Sequence, residues 1–289
     1  MKNHPRRSVL YVPGDSEKMI LRSASAASDT LILNLEDGVA LSQKESARDH
    51  VAHALKHVDF GGREIVVRIN SLAAATGRSD LTAAAPLGPD GICLPKTEKA
   101  SDILAADRAL LEIENGHGLP GRSIRLHAMI ESAAGMLHAA EIAAASPRMA
   151  SLVFGSADYA NDVRCWPGED RQELLLALQM LVTSARSAGI DAIDSPCFDI
   201  RNYDLLRREA VQARRLGFDG KSALHPEQCR ILNEVFDVTA EEIAWAEQAL
   251  AGLDEAENRG KALTTLDGKL IENPHRAAAE RILSRRPPR

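Results

Sequence analysis

Short apolar, β-branched runs recur through the first four-fifths of the chain, each closing on polar or turn-forming residues. They are SVLYVP from Ser8, TLILNLE from Thr30, EIVVRIN from Glu64, GICLPK from Gly91, RLHAMIE from Arg125, SLVFGSAD from Ser151, GIDAIDS from Gly189 and GKSALHP from Gly220. Their length and composition predict eight strands. The gaps carry a helical period. Ser42-Gln43-Lys44-Glu45 reads as a capping box in front of SARDHVAHALKHV. EDRQELLLALQMLVTSARSAG predicts a helix stopping at Gly189, and NYDLLRREAVQARRLG one stopping at Gly217. The stretch SLAAATGRSDLTAAAPLG is weaker and reads partly as loop.

Eight strands alternating with helices imply parallel βαβ units, and residues 1–236 fit a closed (β/α)8 TIM barrel, an α/β fold. The rival is an open doubly wound sheet. It needs a phosphate fingerprint after its first strand, and VPGDSEK carries neither G-x-G-x-x-G nor the P-loop pattern. Beyond Phe236 the pattern changes. Thr239-Ala240-Glu241-Glu242 caps a helix, LTTLDGKLIE predicts a hairpin around Asp267-Gly268, and Asn273-Pro274 (N-cap, then Pro at N1) opens a last helix through Ile282. Residues 237–289 thus read as a C-terminal helical extension, expected to cover a site or a neighbouring subunit, with a frayed end SRRPPR.

Composition narrows the function classes. With 289 residues, 45% hydrophobic and 26% charged, the chain is an ordinary globular protein, and aromatics at 3% leave the core to Ala, Leu, Ile and Val. A net charge of −6 and a pI near 5.9 argue against nucleic-acid or membrane-surface binding. Cys93, Cys165, Cys197 and Cys229 form no C-x-x-C pair, which points to reduced thiols in a cytoplasmic protein. The first residues contain no apolar signal region, and no run is long enough to span a membrane.

In a barrel, chemistry gathers where the strands end. Those ends carry Pro13-Gly14, Glu36-Asp37, Arg68 with Asn70, Lys96 with Glu98, Glu131, Asp158, Asp194 and His225-Pro226. Singly, each acid reads as a solvated or salt-bridged strand end. Together, Glu36, Asp37, Glu131, Asp158 and Asp194 face Arg68 and Lys96, and clustered acids repel unless a cation sits among them. All-oxygen donors point to Mg2+ or Mn2+ rather than zinc. Alternation puts Asn34 with Glu36 on one strand face and sets Asp37 on the other unless the turn at Gly38 re-aims it. His127 reads as a satisfied core histidine and His225 as a loop-orienting residue.

These motifs resemble one family over essentially the whole chain from Arg7. R-S-V-L-Y-V-P-G, L-E-D-G-V with Lys44, Ala47 and Arg48 after it, V-R-I-N, L-P-K-T-E, M-I-E-S-A-x-G, F-G-S-A-D and G-K-S-A-L-H-P-E-Q occur in the order of the citrate lyase β-subunit-like acyl-CoA lyases (HpcH/HpaI aldolase superfamily). That group includes malyl-CoA and citramalyl-CoA lyases. The resemblance implies a Mg2+-dependent lyase that splits a β-hydroxyacyl-CoA thioester into acetyl-CoA and a 2-oxo acid. Glu131 and Asp158 are then the metal ligands, Arg68 holds the oxo acid, and Glu36 and Asp37 bind waters around the metal. Arg7 and Lys18 meet the CoA thioester or its phosphates, with Lys96, Asp194 and Pro196 completing the substrate and CoA set. Glu272, in Leu270-Ile271-Glu272-Asn273-Pro274, matches a tail Asp taken as catalytic acid/base on a neighbouring subunit. A tail that works in trans makes the protein a homo-oligomer, and a trimer or hexamer is what the resemblance implies. Two residues depart from the pattern: Asn34 stands where the family has Asp in L-D-L-E-D, and Glu272 is one methylene longer than the Asp. The alternatives are a citrate lyase β subunit acting on a citryl thioester of an acyl-carrier protein, and a non-catalytic CoA-binding paralogue.

Overall fold

All eight apolar runs form strands in a computed structural model of the protein, which describes residues 5–285. The expected frayed end SRRPPR lies outside the described residues from Arg286 on. The strands are β1 (Ser8–Pro13), β2 (Thr30–Asn34), β3 (Glu64–Arg68), β4 (Gly91–Leu94), β5 (Arg125–Ile130), β6 (Met149–Phe154), β7 (Asp191–Asp194) and β8 (Gly220–Ala223). Each pairs in parallel with the next and β8 closes on β1, giving a closed eight-stranded barrel. The helices on it are α1 (Glu17–Ser23), α2 (Lys44–His57), α3 (Ala75–Ala84), α4 (Ala100–His117), α5 (Ala133–Leu137), α6 (Ala139–Ala144), α7 (Ser156–Asp162), α8 (Leu175–Ser187), α9 (Tyr203–Leu216) and α10 (Pro226–Phe236). This is the (β/α)8 TIM barrel expected, and the doubly wound alternative is excluded by its closure. No described helix is long and apolar enough to cross a membrane.

Period-2 alternation sorts the core into two layers. Val9, Ile32, Val66, Cys93, Met129, Val153 and Ile193 fill the barrel interior with Tyr11 packed on them. Their strand neighbours, such as Leu10, Leu31, Leu33, Val67 and Leu152, face outward to the helices. The helix stops at Gly189 and Gly217 are present as left-handed glycines, φ 68° and 100°. The Ser42 capping box is not. Leu41–Gln43 form a 3-10 turn, so α2 begins at Lys44 with Gln43 at its N-cap and no side-chain cap.

A buried ion cluster ties α4 to the starts of β5 and β6. Arg148, with no exposed surface, donates to Asp107 (2.5 Å), to both oxygens of Glu114 (2.8 and 2.6 Å) and to the Ile124 carbonyl (2.9 Å). Arg148→Met is expected to destabilise the fold by about 3–5 kcal/mol, since it strands two acids among apolar neighbours; urea unfolding measures it. Burial opposes ionisation of Glu114, but Arg148 and the Ile124 and Arg122 N–H groups outweigh it and bring its carboxyl from 4.5 down to about 2. A lowered carboxyl stabilises fully above its unfolded pKa, so this contribution fades as pH falls from about 4.5 towards 2.

The chain divides into two compact units, residues 1–236 and 237–289. The second holds α11 (Ala240–Asn258), β9 (Leu263–Leu266), β10 (Lys269–Glu272) and α12 (Asn273–Ser284). Thr239 and Glu242 form the expected capping box. β9 and β10 pair as the expected hairpin, with Asp267 and Gly268 both at positive φ, the conformation that a tight turn of the favoured twist requires. The last helix differs by one residue at its start: Glu272 is its N-cap and Asn273 its first residue, with Pro274 still in the first turn.

Candidate active site

The carboxyl ends of β2, β3, β4 and β5 bring together most of the residues singled out in the sequence. Glu131, one residue past β5, is 4% exposed. Its Oε1 accepts the backbone N–H of Lys96 at 2.6 Å, and Lys96 sits at φ 51°. The Lys96 ammonium turns the other way, to Glu36 (3.0 Å) and Asp37 (3.3 Å). Gly38, at φ 96°, answers the question of Asp37: the turn brings it back beside Glu36, onto the same cation.

Arg68 ends β3 on the inward face, buried. Its Nε donates to Asn34 Oδ1 (2.7 Å), its Nη2 to the Asp37 carbonyl (3.1 Å), and its Nη1 lies 3.3 Å from Glu36 Oε2 and 3.4 Å from Met129 Sδ. The guanidinium stacks over the Tyr11 ring, 5.0 Å from its centroid. Asn34 completes the arrangement, accepting the Glu36 N–H (3.0 Å) and donating to the Asp37 carbonyl (2.5 Å). An amide here orients Arg68 without neutralising it, where a carboxylate would do both.

Asp158 stands exposed in the first turn of α7, close enough to act on Glu131. Burial first, then the charges of Asp158 and Glu36, raise the Glu131 carboxyl from 4.5 to about 7 against the lowering influence of the Lys96 N–H and Arg68. Such a carboxylate is ready to receive a cation. Gly155 lets that carboxylate stand where it does, since a Cβ there would fall 2.5 Å from both Cβ and Oε2 of Glu131. Among the described residues no group of three or more His, Cys, Asp or Glu forms a metal cage. Mg2+ does not need one, because it is held by one or two carboxylates and keeps its waters. Gly155→Ala, which pushes the Glu131 carboxylate aside, is expected to lower divalent-cation affinity about 10–100-fold with the fold retained; manganese titration followed by electron paramagnetic resonance measures it.

Two expected site residues lie elsewhere in the barrel, and a third belongs to the second unit. Arg7 precedes β1, and its guanidinium grips both oxygens of Asp29 (2.8 and 2.9 Å), the residue just before β2. That is the amino end of the barrel, and the six-residue β1 separates it from the rim by about 20 Å. Within its own subunit Arg7 therefore does not meet a thioester at Glu131. Asp194 is corrected by alternation: Ile193 points into the barrel, so Asp194 faces the helices, fully buried and held by Arg171 (2.8 Å) and Lys221 (2.8 Å). It belongs to an internal ion cluster. Glu272 lies in the second unit, exposed where β10 meets α12, its N–H donating to His275 Nδ1 at 3.2 Å.

Two cavities open at the carboxyl ends of the strands. One of about 380 Å3 is lined by Tyr11, Met19, Arg22, Asn34, Arg68 and His225, with Lys18 exposed on the adjoining α1. One of about 890 Å3 lies beside Asp158, lined by Ser156, Trp166, Arg171, Pro196 and Phe198. The smaller holds Asn34, Asp37 and Arg68 of the expected residues, and it adds Tyr11, Arg22 and Met19, which the sequence reading did not select. The inward face of β1 marks Tyr11 by simple alternation. His127 is buried in the core as expected, pushed down to about 4 by burial, but it is only half satisfied: Nδ1 pairs with Ser151 Oγ at 2.8 Å, while Nε2 is buried with no hydrogen-bond partner.

The sequence model of the HpcH/HpaI aldolase/citrate lyase family matches residues 7–226, and that of the C-C bond lyases of the TIM-barrel fold matches residues 175–287. The citrate lyase subunit beta of Haemophilus influenzae is 37% identical over 97% of this chain and 96% of its own. The (3S)-malyl-CoA thioesterase of Cereibacter sphaeroides is 36% identical over 98% and 95%. Among solved structures, the protein CitE from Mycobacterium tuberculosis in complex with magnesium, acetoacetate and coenzyme A superposes with a TM-score of 0.77 at 27% identity, over 96% of this chain and 97% of that one.

Proposed function

This chain belongs to the HpcH/HpaI aldolase/citrate lyase family, and from that premise we propose that it is a Mg2+-dependent lyase cleaving a β-hydroxyacyl-CoA thioester of the citramalyl-CoA or malyl-CoA kind. The products are acetyl-CoA and a 2-oxo acid, pyruvate or glyoxylate. The observation that carries this is Glu131, a buried rim carboxylate whose charge is penalised by burial and by Asp158, next to an arginine that keeps its own. The M. tuberculosis protein bound to magnesium, acetoacetate and coenzyme A supports the same ligand set.

Cleavage takes the proton from the β-hydroxyl, breaks the Cα–Cβ bond, and leaves its electron pair on the thioester as an enolate that must gain a proton at carbon. Mg2+, when bound by Glu131 and Asp158, supplies Lewis-acid polarisation of the substrate's oxygens; Mn2+ suits the same donors. Arg68 offers a fork to the carboxylate that becomes part of the oxo acid, at an angle fixed by Asn34 and Glu36. Glu36 and Asp37 would accept hydrogen bonds from water held beside a bound ion, with Lys96 offsetting their charge. The thioester enters through the smaller cavity past Lys18 and Arg22, and Pro196 lines the larger one. Glu272 is the acid for the enolate carbon, delivered by the second unit of a neighbouring subunit in a homo-oligomer, trimer or hexamer. Glu272→Ala is expected to lower kcat about 10²–10⁴-fold with KM little changed, in steady-state assays; an intact rate removes the tail from the chemistry.

A second reading, a citrate lyase β subunit, is favoured by relatives of that name at 37% identity. One assay separates them. Purified protein with Mg2+ releases a 2-oxo acid from citramalyl-CoA or malyl-CoA under the first reading, and EDTA stops it. Turnover confined to a citryl thioester on a carrier protein supports the second, and thioester binding without turnover of either contradicts both.

A further inference from the structure

The motif that follows the acid turn, Lys44 with Ala47 and Arg48, has no part in the reaction as described. Lys44 is nevertheless an unusual residue. It is the first residue of α2, where a positive charge opposes the helix dipole, and it is only 8% exposed. A buried ammonium at the wrong end of a helix is a local cost that needs a compensating role. Its partners are carbonyls: Nζ donates to Leu35 O at 2.7 Å and to Glu36 O at 2.8 Å. Burial lowers its pKa while the charges of Glu36, Asp80 and Asp37 oppose that fall.

Those carbonyls belong to the turn that carries both acids. Leu35 O also takes the Asn70 amide (2.8 Å), and Asn70 and Arg48 are both anchored on Asp80, which is fully buried. On the barrel side Asn34 binds the Glu36 N–H and the Asp37 carbonyl. The turn is therefore gripped on two sides, by an amide from within the barrel and by an ammonium from behind.

We propose that Lys44 is a positioning residue for this reaction: by holding the carbonyls of Leu35 and Glu36 it fixes the Glu36 carboxylate against Arg68 and Lys96, and so sets the angle of the arginine that meets the oxo acid. The kinetic consequence rests on the lyase reading, whereas the clamp itself rests on the fold.

The test compares wild type, Lys44→Met and Lys44→Gln by hydrogen exchange and by kinetics. In Lys44→Met the amides of Glu36, Asp37 and Val39 exchange at least about tenfold faster, and KM for the 2-oxo acid in the condensation direction rises about 10–100-fold. KM does not depend on how much of the protein is folded, so a merely structural role leaves it unmoved. Lys44→Gln, still able to donate to one carbonyl, recovers part of both changes, and it carries the comparison alone if the methionine variant does not fold. Unchanged exchange in the turn overturns the clamp, and faster exchange with a wild-type KM overturns its role in the reaction. A wild type that cleaves no thioester contradicts the lyase reading and leaves the clamp to be judged by exchange.

Discussion

Glu131→Gln is expected to remove turnover and divalent-cation dependence together, lowering kcat/KM by at least about 10³-fold, or about 4 kcal/mol of transition-state stabilisation. The substitution keeps the volume and the Lys96 N–H contact but withdraws the charge. The reason lies in how the carboxylate is held. Burial, Asp158 and Glu36 raise it to about 7, so in the metal-free protein it carries a proton below that pH. A cation has to displace that proton. Apparent cation affinity should thus fall about tenfold per pH unit below 7 and level off above it, and Glu131→Gln should abolish the slope. Manganese titrations across pH measure this directly. Stability has the opposite sign. A carboxyl raised in the folded state costs nothing below its unfolded value of 4.5 and costs fully above about 7. Metal-free Glu131→Gln should therefore be more stable than wild type at pH 8 and equal to it at pH 4. A variant that keeps full rate removes Glu131 from the metal site.

Arg68→Lys is the second large effect. The guanidinium makes four directed contacts, to Asn34, the Asp37 carbonyl, Glu36 and Met129, and sits over the Tyr11 ring. An ammonium keeps the charge but cannot reproduce the fork or the stacking. We expect kcat/KM to fall about 10²-fold, about 2.7 kcal/mol, mainly through KM for the 2-oxo acid in the condensation direction. KM for acetyl-CoA, which lacks that carboxylate, should stay near wild type. An unchanged oxo-acid KM would show that the carboxylate is bound elsewhere.

The fold was legible because apolar runs and helix stops are local signals. Each of the eight runs became a strand, and Gly189 and Gly217 stop helices for the steric reason expected. Boundaries that depend on a neighbouring turn were less so. Ser42 fails as a cap because a 3-10 turn intervenes, and Asn273 yields that position to Glu272. The gathering of side chains at the rim was legible where motif and strand face agree, as for Glu36, Arg68 and Glu131. Asp194 shows the limit. A polar residue at a strand end names a height in the barrel but not a side, and one residue of alternation sends it into the helix layer. Arg7 differs at the other coordinate: it sits where a strand begins, whereas the acids sit where strands end. Lys44 was hidden for a third reason, because its partners are main-chain carbonyls, which leave no trace in sequence.

The bond that breaks is the central matter, since a relative of this chain bears the name of a thioesterase. Wild type should be incubated with Mg2+ and malyl-CoA or citramalyl-CoA, and both halves of the substrate followed by mass spectrometry. Carbon–carbon cleavage yields acetyl-CoA and a 2-oxo acid in equal amounts, and EDTA suppresses both. Free CoA with the intact hydroxy acid as the first products would contradict it.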